Sequence, residues 1–112
     1  MEIQNKDLTE QELITLINKY VNTENGDLTI QFDNDIKIQV LEYKHEFNDG
    51  YTITYQNIMV GQYEIDMCHA GGSVLVKRAK QLQRAIKEQG VEQAVLNLTQ
   101  QKMFSHNDRM WF

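Results

Sequence analysis

Residues 28–40 read LTIQFDNDIKIQV, and this stretch decides the fold class. Apolar and polar residues alternate on both sides of Asp33-Asn34-Asp35, which is the pattern of two half-buried strands. The three polar residues favour a tight turn, because Asn and Asp tolerate the backbone conformations that turns require. The sequence therefore predicts two antiparallel strands joined by this turn.

The alternation continues toward the C-terminus. The second strand is expected to reach about Phe47, and Asn48-Asp49-Gly50 predicts a reverse turn because glycine accepts positive φ. Residues 51–67 resume the alternation, but its phase shifts at 56–57 and again at 61–62. Each shift indicates either a bulge or a turn into a fourth strand. We therefore expect an antiparallel meander of three or four strands.

A helix is predicted before these strands. Thr9 and Glu12 have the spacing of a capping box, in which each side chain accepts from the other residue's backbone N–H. Apolar residues then recur at helical spacing, and the polar stretch 22–27 ends the helix. The members of this apolar stripe are Leu13, Leu16, Ile17 and Tyr20.

Two more helices are predicted after the sheet. The first follows 71–72, with Ser73 as its expected N-cap, and ends near Gly90. A second apolar stripe begins at Val91. Two stripes define these helices: Leu75, Ala79, Leu82 and Ile86 in the first, and Val91, Ala94, Val95 and Leu98 in the second.

The predicted fold is thus one α+β domain over 1–112. In an alternative interpretation, residues 103–112 are an extended tail of this domain. Its order is a helix, the meander and two helices. The first helix and at least one later helix cover one sheet face. The other face is expected to be open, and its candidate residues are Thr29, Gln31, Lys37, Gln39, Thr52 and Thr54.

Length and composition agree with a single globular domain. The chain has 112 residues, of which 41% are apolar and 24% charged. Cys68 is the one cysteine, so no intrachain disulfide can form, and the polar N-terminus resembles no secretion signal. Since no apolar run approaches the roughly 18 residues that span a bilayer, we expect a cytoplasmic protein without membrane contact.

Charge is distributed unevenly along the chain. Residues 1–66 carry thirteen acids and four lysines, whereas residues 67–112 carry three acids and seven bases. Such a split predicts either two halves that attract each other or two surfaces for partners of opposite charge.

No stretch carries a convincing catalytic, metal or cofactor motif. Cys68 and His69 are adjacent, so on a strand they point to opposite faces, and they lack the second spaced pair of a zinc site. Gly71-Gly72-Ser73 before a helix is a weak phosphate-binding candidate without the spacing of a Walker loop. A flexible joint explains the same residues without a ligand and is the favoured interpretation. We therefore expect a protein that is not an enzyme.

The predicted helix over 73–89 has a basic face. A row of cations along a helix can displace counterions from phosphates, which makes nucleic-acid binding the alternative function. The competing interpretation is a solvated outer face in which Arg84 pairs with Glu88. The basic residues are Lys77, Arg78, Lys80, Arg84 and Lys87.

The C-terminal residues Met110, Trp111 and Phe112 are the leading candidates for partner binding, since large aromatic side chains dominate interface energetics. Packing of these residues onto the domain itself and a contact in a homodimer or with a partner are the alternatives.

The expected function is that of a small protein-binding module. The abundance of Asn, Gln, Ile and Lys is typical of AT-rich bacterial or phage genomes. The order helix, sheet, two helices is similar, in element order alone, to that of some anti-CRISPR proteins of phages. This resemblance implies an inhibitor or modulator, encoded by a phage or mobile element, that binds a host protein. The acidic N-terminal half is a second candidate surface, because its carboxylates could imitate a phosphate backbone in a basic groove of a host protein; the competing interpretation is a surface that keeps the protein soluble.

Overall fold

The structure, a computed structural model, describes residues 1–22, 24–45 and 51–98. The turn predicted at 48–50 and the tail over 103–112 lie outside these ranges. So do Met110, Trp111 and Phe112.

Five strands and three helices form the described chain. The strands are β1 (Glu2–Gln4), β2 (Leu28–Asp33), β3 (Ile36–His45), β4 (Tyr51–Val60) and β5 (Tyr63–Asp66). The helices are α1 (Glu10–Val21), α2 (Gly72–Gln89) and α3, which covers residues 91–98. A short 3-10 helix, Asn5–Asp7, connects β1 to α1.

The five strands form one mixed sheet in chain order, β1 to β5. Strands β2 to β5 are the predicted antiparallel meander, with four members. The prediction of three or four strands with a helix first was wrong in one respect. Strand β1 precedes α1 and pairs in parallel with β2, with Ile3 opposite Ile30. Only one apolar residue marks β1, which is too little for a periodic pattern.

The hydrophobic core lies between one face of the sheet and the helices α1 and α2. The apolar residues of 28–40 are buried as the alternation predicts, and Ile58 and Val60 continue this face. Leu13 and Ile17 of α1 and four residues of α2 pack against it: Leu75, Val76, Ala79 and Leu82. The prediction that two helices cover one sheet face is confirmed.

Helix α1 begins as its capping box predicts. The Thr9 side chain accepts from the N–H of Glu12 at 3.1 Å, and the Glu12 carboxylate accepts from the N–H of Thr9 at 2.9 Å. Both of these otherwise unpaired donors are satisfied, so the helix start is fixed locally.

The junction between the sheet and α2 differs from the prediction. The N-cap is Gly71 rather than Ser73, and the N–H of Gly72 donates to Oδ1 of Asn18 in α1 at 2.7 Å. A Cβ on Gly72 would lie 2.5 Å from the carbonyl oxygen of Ile14. Gly72 therefore lets α2 approach α1 closely. A side chain of the protein also already uses the N–H of Gly72 that a phosphate would need.

No helix in the described ranges is both long enough and apolar enough to cross a membrane.

Candidate functional site

The β3–β4 hairpin extends beyond the rest of the sheet. Strands β3 and β4 pair from Ile36 opposite Val60 to His45 opposite Tyr51. Strand β2 pairs with β3 only as far as Val40, and β5 pairs with β4 only from Asn57. We call residues 41–45 and 51–55 the arm. Neither β2 nor β5 pairs with the arm.

Apolar side chains change face where the arm begins. In β3, Ile38 and Val40 lie on the helix-covered face. Leu41 and Tyr43 have the opposite parity in the same strand, so they lie on the uncovered face. Leu41 and Tyr43 pair with Tyr55 and Ile53, and these four share the face that the helices leave uncovered. We call this set, Leu41, Tyr43, Ile53 and Tyr55, the arm face.

The arm face is accessible and ordered by aromatic contacts. Tyr43 is 50% exposed and Ile53 is 41% exposed. The rings of Tyr43 and Tyr55 meet edge to face with centroids 6.5 Å apart. The Tyr55 hydroxyl donates to Oε1 of Glu64 at 2.6 Å, and this hydrogen bond raises the pKa of Tyr55 above its ordinary value. Tyr55 therefore stays protonated and oriented.

The opposite side of the arm is held by polar contacts to the α1–β2 connection. The Thr54 hydroxyl donates to the carbonyl of Val21 at 3.0 Å. The N–H of Glu42 donates to Oδ1 of Asp27 at 2.7 Å, and the Glu42 carboxylate accepts from the N–H of Gly26 at 3.0 Å. These bonds fix the arm to the domain while its apolar face stays uncovered by α1 and α2.

The signal for the arm face in the sequence is the phase shift at 56–57. It marks neither a bulge nor a turn, because β4 runs through Gln56 and Asn57 in unbroken register. The turn lies at 61–62, where Gly61 has φ of 59°. An uninterrupted strand whose apolar residues change parity places them on two faces. Thr54, expected on the open face, consequently lies on the helix side, and the register places Thr52 there too.

Two buried amide side chains, Gln56 and Asn57, lie at the point in β4 where the apolar residues change face. Gln56 donates through Nε2 to the Thr54 hydroxyl at 2.7 Å and accepts at Oε1 from the N–H of His69 at 3.1 Å. Asn57 is 2% exposed, and its Oδ1 has no hydrogen-bond partner among the described residues. A buried acceptor without a donor costs about 1–3 kcal/mol. Asn57 lies two residues from Tyr55, on the same face.

The basic residues of α2 do not all lie together. At about 100° per residue, Lys77, Lys80, Arg84 and Lys87 fall within about 80° of arc, and Arg78 lies about 100° from Lys77 on the other side. Lys80 pairs with Glu10 of α1, and this is the one ion pair in the described part of the chain. The expected pair between Arg84 and Glu88 is therefore not formed. We call Lys77, Lys80, Arg84 and Lys87 the basic row. It lies on one side of α2, and Glu10 neutralises the charge of one member, Lys80.

Cys68 and His69 lie in a turn between β5 and α2, and no hydrogen bond joins their side chains in the described structure. Cys68 and His69 are exposed, and His69 has a positive φ of 70° in the connection to α2. Asp66 accepts from the N–H of Cys68 at 2.8 Å, which stabilises the turn. Within the residues that the structure describes, no three His, Cys, Asp or Glu side chains form a group that could hold a metal ion.

Comparisons of the chain with protein-family models, with curated proteins and with solved structures found no match. Function must therefore be argued from the surface of the molecule. Its candidate surfaces are the arm face, the basic row of α2 and the edge strands of the sheet.

Proposed function

We propose that this protein is a binding module that contacts another protein through the arm face. The observation that carries the proposal is the exposure of Tyr43 and Ile53 beside Leu41 and Tyr55, on a hairpin whose other face is fixed to the domain. Tyrosine is enriched in interface cores because it supplies a large, rigid contact area and a hydroxyl. A contiguous apolar surface of this kind favours association.

The surroundings of the arm face indicate the chemistry of the partner. Glu64 and Asp66 of β5 lie on the same sheet face and are exposed. The N-terminal half that contains the arm is strongly acidic. The complementary surface is therefore apolar at its centre and basic at its rim, which steers association and excludes acidic competitors. A host protein with such a surface is the partner we propose.

The test compares a charged arm face with a charge placed elsewhere. In the full chain, Tyr43→Asp combined with Ile53→Asp puts two carboxylates in the contact. Affinity capture and titration of the purified partner should show a saturable 1:1 complex with the wild type. We expect the double variant to bind at least about 30-fold more weakly, since interface hot spots contribute about 2 kcal/mol or more.

The matched control is Val74→Asp, because Val74 of α2 is also 50% exposed. This variant should bind as the wild type does. Equal loss in both variants, or the absence of any saturable partner, would contradict the proposal. A concentration-dependent dimer abolished by the arm variant would instead assign the arm face to a homodimer contact.

Nucleic-acid binding through α2 is the second candidate. It is favoured by a shallow hollow of about 320 Å³ that Lys80, Arg84 and Lys87 line together with Gln83. Binding of this kind weakens steeply with salt. Changing Lys77, Lys80, Arg84 and Lys87 to Glu should abolish it, and an affinity that does not change with salt would remove this candidate.

A further inference from the structure

A second surface, separate from the arm face, lies at the β1 edge of the sheet. A groove of about 790 Å³ runs between β1 and α1. Half-buried Ile3, Leu8 and Leu16 supply apolar side chains to it, and the polar lining includes Gln11 and Thr15 of α1. A groove between a helix and a strand at the sheet edge matches one recurrent mode of peptide recognition.

The strand that borders the groove has an unpaired edge. Strand β1 pairs with β2 on one side only, and no other described strand lies beyond it. The carbonyl of Met1 accepts from the N–H of Thr29 in β2 at 2.8 Å. Since backbone groups alternate in direction along a strand, those of Glu2 and Gln4 point away from β2. Both backbone groups of Glu2 and the N–H of Gln4 are available to another strand, whereas the Gln4 carbonyl is the N-cap acceptor of the 3-10 helix.

The edge is held in place before any partner arrives. The Asn5 side chain donates to the carbonyl of Phe32 in β2 at 3.2 Å, which fixes the 3-10 helix after β1. On the other side, the capping box fixes the start of α1. A preformed edge lowers the ordering cost of adding a strand.

Charges around the groove favour a basic ligand. Three exposed acids and one lysine are among its lining residues: Glu2, Asp7, Glu12 and Lys19. Glu2 lies on the uncovered sheet face, opposite Thr29. A strand beside β1 would place alternate side chains in the groove and the others next to Glu2.

We propose that the groove receives an extended peptide segment with alternating apolar and basic residues, which pairs with β1 and inserts its apolar side chains between β1 and α1. This peptide site is independent of the protein contact at the arm face. The groove lies between β1 and α1, whereas the arm face lies on β3 and β4 on the uncovered side of the sheet, so each site can fail without the other.

The probe is the acetylated, amidated peptide Lys-Val-Lys-Val-Lys-Val-Lys, titrated into the isotope-labelled full chain and followed by NMR. We expect shifts at the amides of Glu2, Gln4 and Leu16, and slower hydrogen exchange at Glu2 and Gln4. The same residues in the order Lys-Lys-Lys-Lys-Val-Val-Val should bind at least about tenfold more weakly, since only alternation matches the groove.

Variants separate this site from unspecific charge attraction. Thr15→Arg, at an exposed lining position, should weaken binding about tenfold or more. Gln81→Arg adds the same charge at an exposed position of α2 and should leave binding unchanged, as should Tyr43→Asp with Ile53→Asp. Equal binding of both peptides, equal effects of both arginine variants, or no shifts at Glu2 and Gln4 would overturn the proposal. Shifts at these amides that depend on protein concentration without peptide would assign the groove to a second copy of the chain, which also overturns it.

Discussion

Gly72 occupies the position where α2 meets α1, and the space there admits no side chain. A Cβ would lie 2.5 Å from the carbonyl oxygen of Ile14, and backbone atoms cannot move aside as a flexible side chain can. We therefore expect Gly72→Ala to lower the free energy of unfolding by about 1–3 kcal/mol, as overpacking does. The gain in helix propensity of up to about 1 kcal/mol offsets only part of this. Urea denaturation measures the difference.

Ser73→Ala is the control for this prediction. Ser73 is the next residue of the same helix, but it is exposed and is not the N-cap. This substitution should change stability by no more than about 0.5 kcal/mol. A Gly72→Ala protein as stable as the wild type would show that the helices separate at little cost, contrary to the packing described.

Single residues also show why the face change in β4 could not be predicted from the sequence. The shift of phase at 56–57 is visible in the pattern, but a bulge, a turn and an unbroken strand all produce it. What decides between them is the pairing of Gln56 with Val40 and of Asn57 with Gln39, which are contacts between distant residues. Gln56 is retained in the interior because its amide also binds Thr54 and His69.

Among the elements, α1 allows a prediction about pH. The hydrogen bond from the N–H of Thr9 lowers the pKa of Glu12 below its ordinary value of 4.5, and the Thr9 side chain adds to this. A carboxyl group with a lowered pKa in the folded state stabilises the protein above its unfolded pKa, and the contribution is lost as pH falls through the folded value. Glu12→Gln should thus lower Tm at pH 7, and the difference should vanish in acid below the folded pKa.

The control for the capping box is Glu88→Gln, because Glu88 is exposed near the end of α2. This variant removes the same charge without touching the capping box, so it should not reproduce the loss of Tm that Glu12→Gln shows at pH 7. If the Tm difference of Glu12→Gln were equal at pH 7 and in acid, charge on Glu12 would have no role in the start of α1.

Elements that local chemistry specifies were predicted well, and those that depend on distant pairing were not. The capping box defines α1, and strict alternation over 28–40 defines β2, the turn and the start of β3. By contrast, β1 exists through its pairing with residues 29–31, and Gly71 replaces Ser73 as the N-cap where Asn18 of α1 binds Gly72. The arm face and the groove beside β1 follow from these same distant contacts, so the sequence indicated neither as a site.

At the scale of the whole molecule, the acidic and basic halves are joined mainly by apolar packing. The core brings α1 and the sheet of the acidic half against α2 of the basic half through Leu13, Ile17, Leu75 and Ala79. Within the described residues, Lys80 and Glu10 form the one ion pair between the halves, and the Asp33 carboxylate accepts from the Gln83 amide at 2.9 Å. Most of the remaining charge is therefore on the surface, where it acts on partners rather than on the fold.

The strength of that one ion pair tests this view. The side chains of Lys80 and Glu10 are 47% and 53% exposed, so solvent screens their attraction. A double-mutant cycle of Lys80→Met and Glu10→Gln, measured by urea denaturation, should give a coupling energy of only about 0.2–1 kcal/mol at low salt. The coupling should fall as ionic strength rises, because the Debye length shortens to about 3 Å at 1 M.

A cycle of Arg84→Met and Glu88→Gln supplies the matched control. These residues have the spacing of a helical ion pair but form none in the structure, so their coupling should be smaller than that of Lys80 and Glu10. A coupling between Lys80 and Glu10 well above about 1 kcal/mol that persists at high salt would mean that the pair is shielded from water. Attraction between the halves would then hold the fold together, and the basic row of α2 would be less available to any acidic partner.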